Sequence, residues 1–349
     1  MEKSLTDLVG LTRDELEAFF ESIGEKAFRG RQVMQWIYQK AIREIDHMTD
    51  LSKSLRKKLK EIAFIGGLRL IKKEISQDGT TKYLFELEDG QAIESVLIPD
   101  EERLTLCIST QVGCAMGCKF CVTGQMGFSR NLTPGEILKQ ILEVRRDLRS
   151  RNLTNIVLMG MGEPLANFEA VKRAIFIMED ELALNFSARR ITLSTIGLIP
   201  ELKRLFEEGL KCRLAISLNA ADQQTRAYLM PISRKYPLED LLECCRSLPI
   251  PPRDRITFEY VLIKDVNASP EDAKKLTLLL KGIRCKINLI PLNEAPEIPF
   301  KAPSEEEILS FQKILIQHGF TALIRESRGR DISAACGQLK GRIFRTKPS

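Results

Sequence analysis

Histidine is almost missing from this chain of 349 residues, which has two, His47 and His318. That scarcity argues against a histidine-rich metal site and against a Ser–His or Cys–His nucleophilic site. Hard chemistry must then rest on cysteine, carboxylate or a cofactor. No run approaches the roughly 18 apolar residues of a membrane span, so no membrane partner is expected. The N-terminus, Met-Glu-Lys-Ser-Leu-Thr-Asp-Leu, lacks the basic-then-apolar layout of a signal peptide. The nine cysteines are odd in number and unevenly clustered, unlike a secreted disulfide framework. Internal repeats and low-complexity segments are absent as well. A cytoplasmic protein is the expectation.

What is present is ordinary in bulk and uneven in place. A content of 44% hydrophobic and 29% charged residues fits a soluble globular protein. The length allows one large core, or a core with a small accessory domain. The net charge is +6, but between Arg29 and Lys73 twelve Lys/Arg stand against four Asp/Glu. From Thr321 to Ser349 seven stand against two. Such segments suit a polyanion, with RNA or DNA the usual partner, or else are solvated helix faces.

Helical periodicity over residues 12–22, 30–41 and 51–62, with Thr12 and Thr49 or Ser52 as N-caps, marks a small N-terminal unit. Strands are expected at 68–74 and 81–86, around the hairpin signal Ser76-Gln77-Asp78-Gly79, and at 92–98. After Pro99 strands at 104–109, 155–159, 190–195, 213–218, 256–263, 286–291 and 321–325 alternate with helices. The helices are expected at 133–149, 168–178, 200–208, 238–247, 269–281 and 304–317. Repeated βα units imply an α/β fold with a parallel sheet, and this many suggest a complete or partial barrel. The expected division is an N-terminal unit with a hairpin extension (1–90), a barrel (91–331), and a C-terminal loop with a basic tail (332–349).

In such a barrel, functional residues sit at the C-terminal ends of strands. Cys114, Cys118 and Cys121 follow the first barrel strand, with the spacing C-x3-C-x2-C. Gly160-Met161-Gly162-Glu163-Pro164 follows the second, Ser194 and Thr195 end the third, Ser217-Leu218-Asn219 end the fourth, and Asn293 follows the sixth. These ends would line a single mouth. Three thiolates can hold three irons of a [4Fe–4S] cube and leave the fourth open to a small molecule. A four-cysteine zinc site including Cys107 is the metal alternative, but its long first spacing fits zinc knuckles poorly.

These stretches resemble the RNA adenine-C2 methyltransferases of the radical S-adenosylmethionine (SAM) superfamily. The resemblance rests on Phe28-Arg29-Gly30-Arg31-Gln32 with Trp36, on residues 106–114, and on Met159 to Leu165. It extends to residues 192–195, Leu229-Met230-Pro231-Ile232, Asn288-Leu289-Ile290-Pro291, and Ala334-Ala335-Cys336-Gly337-Gln338-Leu339. It implies a partial (β/α)6 barrel that modifies 23S rRNA and certain tRNAs. Cys114, Cys118 and Cys121 would bind the cluster, and SAM would chelate the open iron. Gly162, Glu163, Ser194, Ser217, Leu218, Asn219 and Asn293 would form the SAM pocket, the Glu163 carboxylate pairing with the SAM ammonium. Asn219 stands where close relatives often carry histidine.

The resemblance also makes Cys336 the methyl carrier. A SAM-derived radical would take hydrogen from its S-methyl group, and the carbon radical would add to adenine C2. Cys107 would release the product through a transient disulfide with Cys336, and Glu94 would accept the C2 proton. The N-terminal unit would be an RNA-binding accessory domain, the electron donor would be of flavodoxin type, and the protein would act as a monomer. Cys212, Cys244, Cys245 and Cys285 read as structural. A related adenine-C8 methyltransferase is the nearest enzyme alternative, although Glu163-Pro164 favours the C2 group. A non-catalytic zinc-containing RNA-binding protein is the alternative of another class.

Overall fold

The computed structural model describes residues 5–148 and 152–341. The basic tail expected beyond Gly341, and Arg149 at the end of an expected helix, lie outside the described residues.

Three helices open the chain: α1 (Arg13–Ser22), α2 (Phe28–Tyr38) and α3 (Lys53–Ile62). Thr12 starts α1 with a reciprocal capping box to Glu15, and Ser52 rather than Thr49 caps α3. Leu16, Phe20, Met34, Ile37 and Leu59 close over a small core, while Lys53, Lys57, Lys58 and Lys60 stay exposed along α3. A short parallel pairing of Thr6–Asp7 with Ala63–Phe64 ties the start of this unit to its end. The unit docks closely on the helix Pro134–Leu148, since a Cβ on Gly10 would lie 2.6 Å from the backbone nitrogen of Gly135.

Ten strands then form one mixed sheet and lie side by side in the order in which the chain makes them. Strands β1 (Arg69–Ile75), β2 (Thr81–Glu86), β3 (Ala92–Asp100) and β4 (Arg103–Cys107) run antiparallel. From β4 the sheet is parallel through β5 (Asn155–Leu158), β6 (Ile191–Thr195), β7 (Arg213–Ser217), β8 (Ile256–Leu262), β9 (Cys285–Pro291) and β10 (Ala322–Ile324). The crossovers carry α4 (Pro134–Leu148), α5 (Phe168–Glu179), α6 (Ile199–Glu207), α7 (Gln223–Leu229) with α8 (Leu238–Ser247), α9 (Pro270–Leu279) and α10 (Glu305–Gln317). Six crossovers and a seventh parallel strand make the partial (β/α)6 barrel expected from the sequence. The barrel stays open because β1 and β10 remain free edges. The hairpin strands β1 and β2 continue the barrel sheet, since β2 pairs with β3 and β3 with β4.

Alternation along the strands decides what faces the lumen. On β8, Phe258 and Tyr260 are fully buried, and the Tyr260 ring meets Phe311 of α10 with centroids 5.4 Å apart. Thr257, Glu259 and Val261 therefore face inward. Register sets Ser217, Glu259 and Asn288 at one level of that inner face. The barrel thus presents a polar interior beneath its C-terminal mouth.

Candidate active site

Beyond β4 the chain turns over the strand ends. Gln111–Gly113 pairs with Phe128–Asn131, which pins both ends of the loop between them, and the Cys114 N–H donates to the Gly127 carbonyl at 2.8 Å. Gly113 has φ +74°, and a Cβ there would run into the Gly127 carbonyl, so the pin requires glycine. The Cys121 N–H donates to the Cys118 carbonyl at 3.2 Å, and Cys121 leads into a single helical turn, Val122–Gln125. Cys114, Cys118 and Cys121 are free and half-buried. Burial first, then the neighbouring sulfurs, push the Cys118 thiol well above its ordinary value. Burial likewise brings Cys114 to about 12 and raises Cys121.

Three such thiols suit a cation that replaces the solvation they lack. Among the described residues no three Cys, His, Asp or Glu side chains converge on a single metal ion. Three thiols spread over one loop, with no fourth cysteine continuing the run, fit a cubane cluster that keeps one iron open.

The loop after β5 lies directly against this one. The Met161 carbonyl accepts the N–H groups of Thr110 (2.8 Å) and Gln111 (3.1 Å), and the Met161 N–H donates to Ser109 Oγ at 2.9 Å. Gly162 has φ +102°, and a Cβ on it would lie 2.8 Å from the Gln111 nitrogen. Glu163 is buried with both oxygens engaged. Oε1 accepts from Thr195 Oγ1 (2.6 Å) and the Leu165 N–H (3.1 Å), and Oε2 from the Ile196 N–H (2.9 Å). Burial pushes its carboxyl up to about 7 against the pull of those hydrogen bonds. Its remaining lone pairs, and the backbone of Gly162, are what this loop can offer a ligand.

The other pocket residues divide. Ser194 and Ser217 stand half-buried at the mouth ends of β6 and β7. Leu218 buries its side chain completely. Asn219 sits at φ +60°, a conformation asparagine tolerates, and turns its side chain into the fold. There Asn219 Oδ1 accepts the Val261 N–H at 2.8 Å, and Nδ2 faces Met230 Sδ at 3.3 Å. Leu218 and Asn219 therefore present backbone, not side chain, to the mouth. Asn293 Nδ2 donates to the Cys336 carbonyl at 3.2 Å, and its buried Oδ1 has no partner. That orphaned acceptor beside Cys336 is the atom a polar ligand would satisfy.

Cys336 lies on a segment, residues 329–341, that crosses the mouth and is stitched on every side. The Val122 N–H donates to the Gly337 carbonyl at 2.7 Å, and Thr123 Oγ1 to the Leu339 carbonyl at 2.7 Å, so the Cys336 and cluster loops share a seam. The hairpin turn holds the near end, where Asp78 Oδ2 accepts the Gly329 N–H at 2.9 Å and Ser76 Oγ donates to Asp331 at 2.6 Å. Buried Lys82 donates to the Ile332 carbonyl at 2.6 Å and pairs with Glu94 at 3.4 Å. Glu94 Oε2 accepts the Lys340 N–H at 2.7 Å at the far end. Cys336 is an exposed residue, although protein surrounds its thiol on most sides. Burial, then Glu259, raise its pKa while Arg325 lowers it. Cys107, buried at the end of β4, has its thiol raised by burial and next by Cys336.

Several participants carry no sequence signal. Gln140 of α4 is fully buried, accepts the Ser95 hydroxyl (2.7 Å) and the Ser109 N–H (2.8 Å), and donates to the Ser109 carbonyl at 2.9 Å. A glutamine among the apolar residues of α4 was the one available hint. Helix α7 has no clear apolar stripe, and its Arg226 is wholly buried. Cys212, Cys244, Cys245 and Cys285 are free, and the last three are buried.

Known proteins share this arrangement. Residues 6–65 match the ribosomal RNA large subunit methyltransferase N-terminal domain, and residues 108–277 match the radical SAM superfamily. The chain is 51% identical over 329 residues to the dual-specificity RNA methyltransferase RlmN of Syntrophobacter fumaroxidans, covering 94% of this chain and 96% of that one. It is 51% identical over 346 residues to the protein of the same name from Geobacter sulfurreducens, covering 99% and 95%. The crystal structure of a radical SAM methyltransferase from Sphaerobacter thermophilus superposes with a TM-score of 0.93 at 46% identity, over 97% of this chain and all of that one.

Proposed function

The chain belongs to the RlmN family of dual-specificity RNA methyltransferases within the radical SAM superfamily, and on that premise we propose that it methylates adenine C2 at two kinds of site. One is an adenosine in the peptidyl-transferase region of 23S rRNA, the other an adenosine in the anticodon loop of certain tRNAs. It is a radical-class RNA methyltransferase that uses a [4Fe–4S] cluster and SAM. One observation carries the reading of the site: the Cys336 loop is hydrogen-bonded to the cluster loop through Val122 and Thr123.

Cys114, Cys118 and Cys121 would hold the cluster. Gly162, Glu163, Ser194, Ser217, the backbone of Leu218 and Asn219, and the free Oδ1 of Asn293 would line the SAM pocket. When bound, the reduced cluster and SAM supply a methyl group and a hydrogen-abstracting carbon radical. Adenine C2 is an amidine carbon, too poor a nucleophile to attack a methylsulfonium, so the methyl needs a carrier. Cys336 takes it on sulfur and delivers its carbon to C2. The adduct radical gives up one electron, which the bound cluster would take back. The Cys107 thiolate then attacks the Cys336 sulfur, and the carbon–sulfur electron pair leaves with the carbon, which takes up a proton to complete the methyl. The resulting Cys107–Cys336 disulfide is returned to two thiols by a two-electron thiol reductant. Glu94 accepts the C2 proton, a role supported by its direct bond to the carrier segment at Lys340.

The N-terminal unit, residues 1–90 with the hairpin, would grip RNA through the exposed lysines of α3. Residues 91–331 form the catalytic barrel and 332–349 the carrier loop and tail. The enzyme works as a monomer in the cytoplasm, with a flavodoxin-type protein as electron donor. Among the described residues no helix is long and apolar enough to cross a membrane. The test is nucleoside analysis of rRNA and tRNA from cells with and without this protein. Loss of 2-methyladenosine from both pools is expected, and an exclusively 8-methyl product would overturn the C2 assignment.

A further inference from the structure

Arg226 is 1% exposed, on α7. All its acceptors are neutral: Nε donates to the Leu218 carbonyl (3.1 Å), Nη1 to Ser233 Oγ (3.0 Å), and Nη2 to the carbonyls of Ile196 (2.7 Å) and Ser217 (3.4 Å). None of the ion pairs among the described residues includes it. A guanidinium without a counter-charge in a protein interior is expensive. Burial accordingly lowers its pKa to about 10, which still leaves it protonated at neutral pH, and the groups that pull it back up are Cys118 and Cys245.

Cys118 is on the cluster loop, and that loop rests on α7. The Lys119 N–H donates to the Leu229 carbonyl at 2.9 Å, and the Lys119 ammonium lies 3.7 Å from the centroid of the Tyr228 ring. A Cβ on Gly117 would meet Pro231, just past the helix, at 3.9 Å. The unpaired cation and Cys118 therefore lie on two elements packed against each other, in an interior where a charge acts more strongly than in water.

We propose that Arg226 is the fixed counter-charge of the iron–sulfur site and raises its reduction potential. The inference rests on reading Cys114, Cys118 and Cys121 as cluster ligands. Each electron accepted from the donor adds one negative charge to the thiolate-bound cluster. A buried positive charge nearby favours that reduced state over the oxidised one. Through its bonds to the carbonyls of Ser217 and Leu218, the same side chain fixes the backbone of the proposed SAM pocket. Arg226 is thus a charge-compensating and positioning residue.

The test is a redox titration of anaerobically reconstituted protein without SAM, followed by visible absorbance and electron paramagnetic resonance. Arg226→Gln is expected to leave about tenfold less cluster reduced at a fixed potential, a 59 mV fall for a one-electron couple. Arg226→Lys, which keeps the charge and loses the fork, is expected to titrate with the parent. An unmoved midpoint in Arg226→Gln, or an equal fall in Arg226→Lys, overturns the proposal. Should Arg226→Gln fail to fold, Cys245→Asp sets a carboxylate beside an intact Arg226, and the midpoint is again expected to fall; an unchanged one is adverse. Iron analysis of the parent protein separates this inference from its premise. About four irons per chain uphold the cluster reading, and colourless protein rejects it before any titration.

Discussion

Thr123 donates its hydroxyl to the carbonyl of Leu339 at 2.7 Å, inside the buried seam between the cluster loop and the Cys336 loop. Thr123→Val keeps the shape and leaves that carbonyl unsatisfied, a cost of about 1–3 kcal/mol. The carrier segment is expected to exchange amide hydrogens faster and to be cut more readily by protease. Methylation should slow about tenfold or more, while iron content stays at the parent level. Normal turnover would detach the seam from the chemistry.

Cys336→Ala removes the proposed carrier without touching a proposed cluster ligand. The variant is expected to bind its full complement of iron and to form no methylated nucleoside, read by mass spectrometry of treated RNA. Continued methylation would mean that the methyl group reaches C2 by another route.

Gly162→Ala places a Cβ 2.8 Å from the Gln111 nitrogen at a residue held at φ +102°. Strain of about 1–3 kcal/mol is the usual cost of such a position. SAM affinity, measured by equilibrium dialysis, is expected to fall about tenfold or more, with the three cluster cysteines unaffected.

Asp78 supplies a pH dependence. Burial pushes its carboxyl up, but hydrogen bonds from the Gly329 and Thr80 N–H groups and from the Thr80 and Ser76 side chains together outweigh that and hold it at about 2. A carboxyl depressed on folding contributes stability that is complete above its unfolded value of roughly 3.9 and is lost as pH falls toward the folded value. Attachment of the carrier segment should therefore hold at pH 5 and weaken between about pH 4 and pH 2. Proteolytic release of residues 329–341 reports it, and Asp78→Asn is expected to loosen the segment already at pH 7.

Charge reversal of Lys53, Lys57 and Lys58 tests the N-terminal unit. All three are exposed on α3. RNA affinity is expected to drop, and the slope of log K against log salt to flatten by roughly 0.7–0.9 for each phosphate left unneutralised. SAM cleavage without RNA should not change. An unaltered salt slope would remove α3 from the interface.

The seven parallel strands and most helices could be read from the sequence, because alternating βα periodicity and good N-caps at Thr12, Ser269 and Ser304 are local signals. Helix α7 was not read from the sequence: it is only seven residues long, and one of its buried residues is an arginine bonded to the carbonyls of Leu218, Ser217 and Ile196 instead of an apolar side chain. The mouth was legible as a set of strand ends, but side-chain direction was not. The Asn219 side chain leaves the mouth because its left-handed backbone aims it at Val261. Glu163 points at Thr195 and Ile196, partners supplied by the next strand. The hairpin could be read from Asp78-Gly79, but its bonds to Gly329 and Asp331 join residues about 250 apart.

The consecutive strand order has a consequence for biosynthesis. Each new strand adds to the edge left by the one just made, so the sheet can grow from β1 to β10 as the chain leaves the ribosome. The segment after β10 breaks that progression, because it runs back across the mouth to the hairpin, the first part of the sheet to be made. Until residues 329–341 emerge, the nascent barrel has its cysteine loop but neither Cys336 nor the hydrogen bonds that loop later shares with Gly337 and Leu339. The cysteine loop is thus made well before the segment that covers it, simply because of the direction of translation.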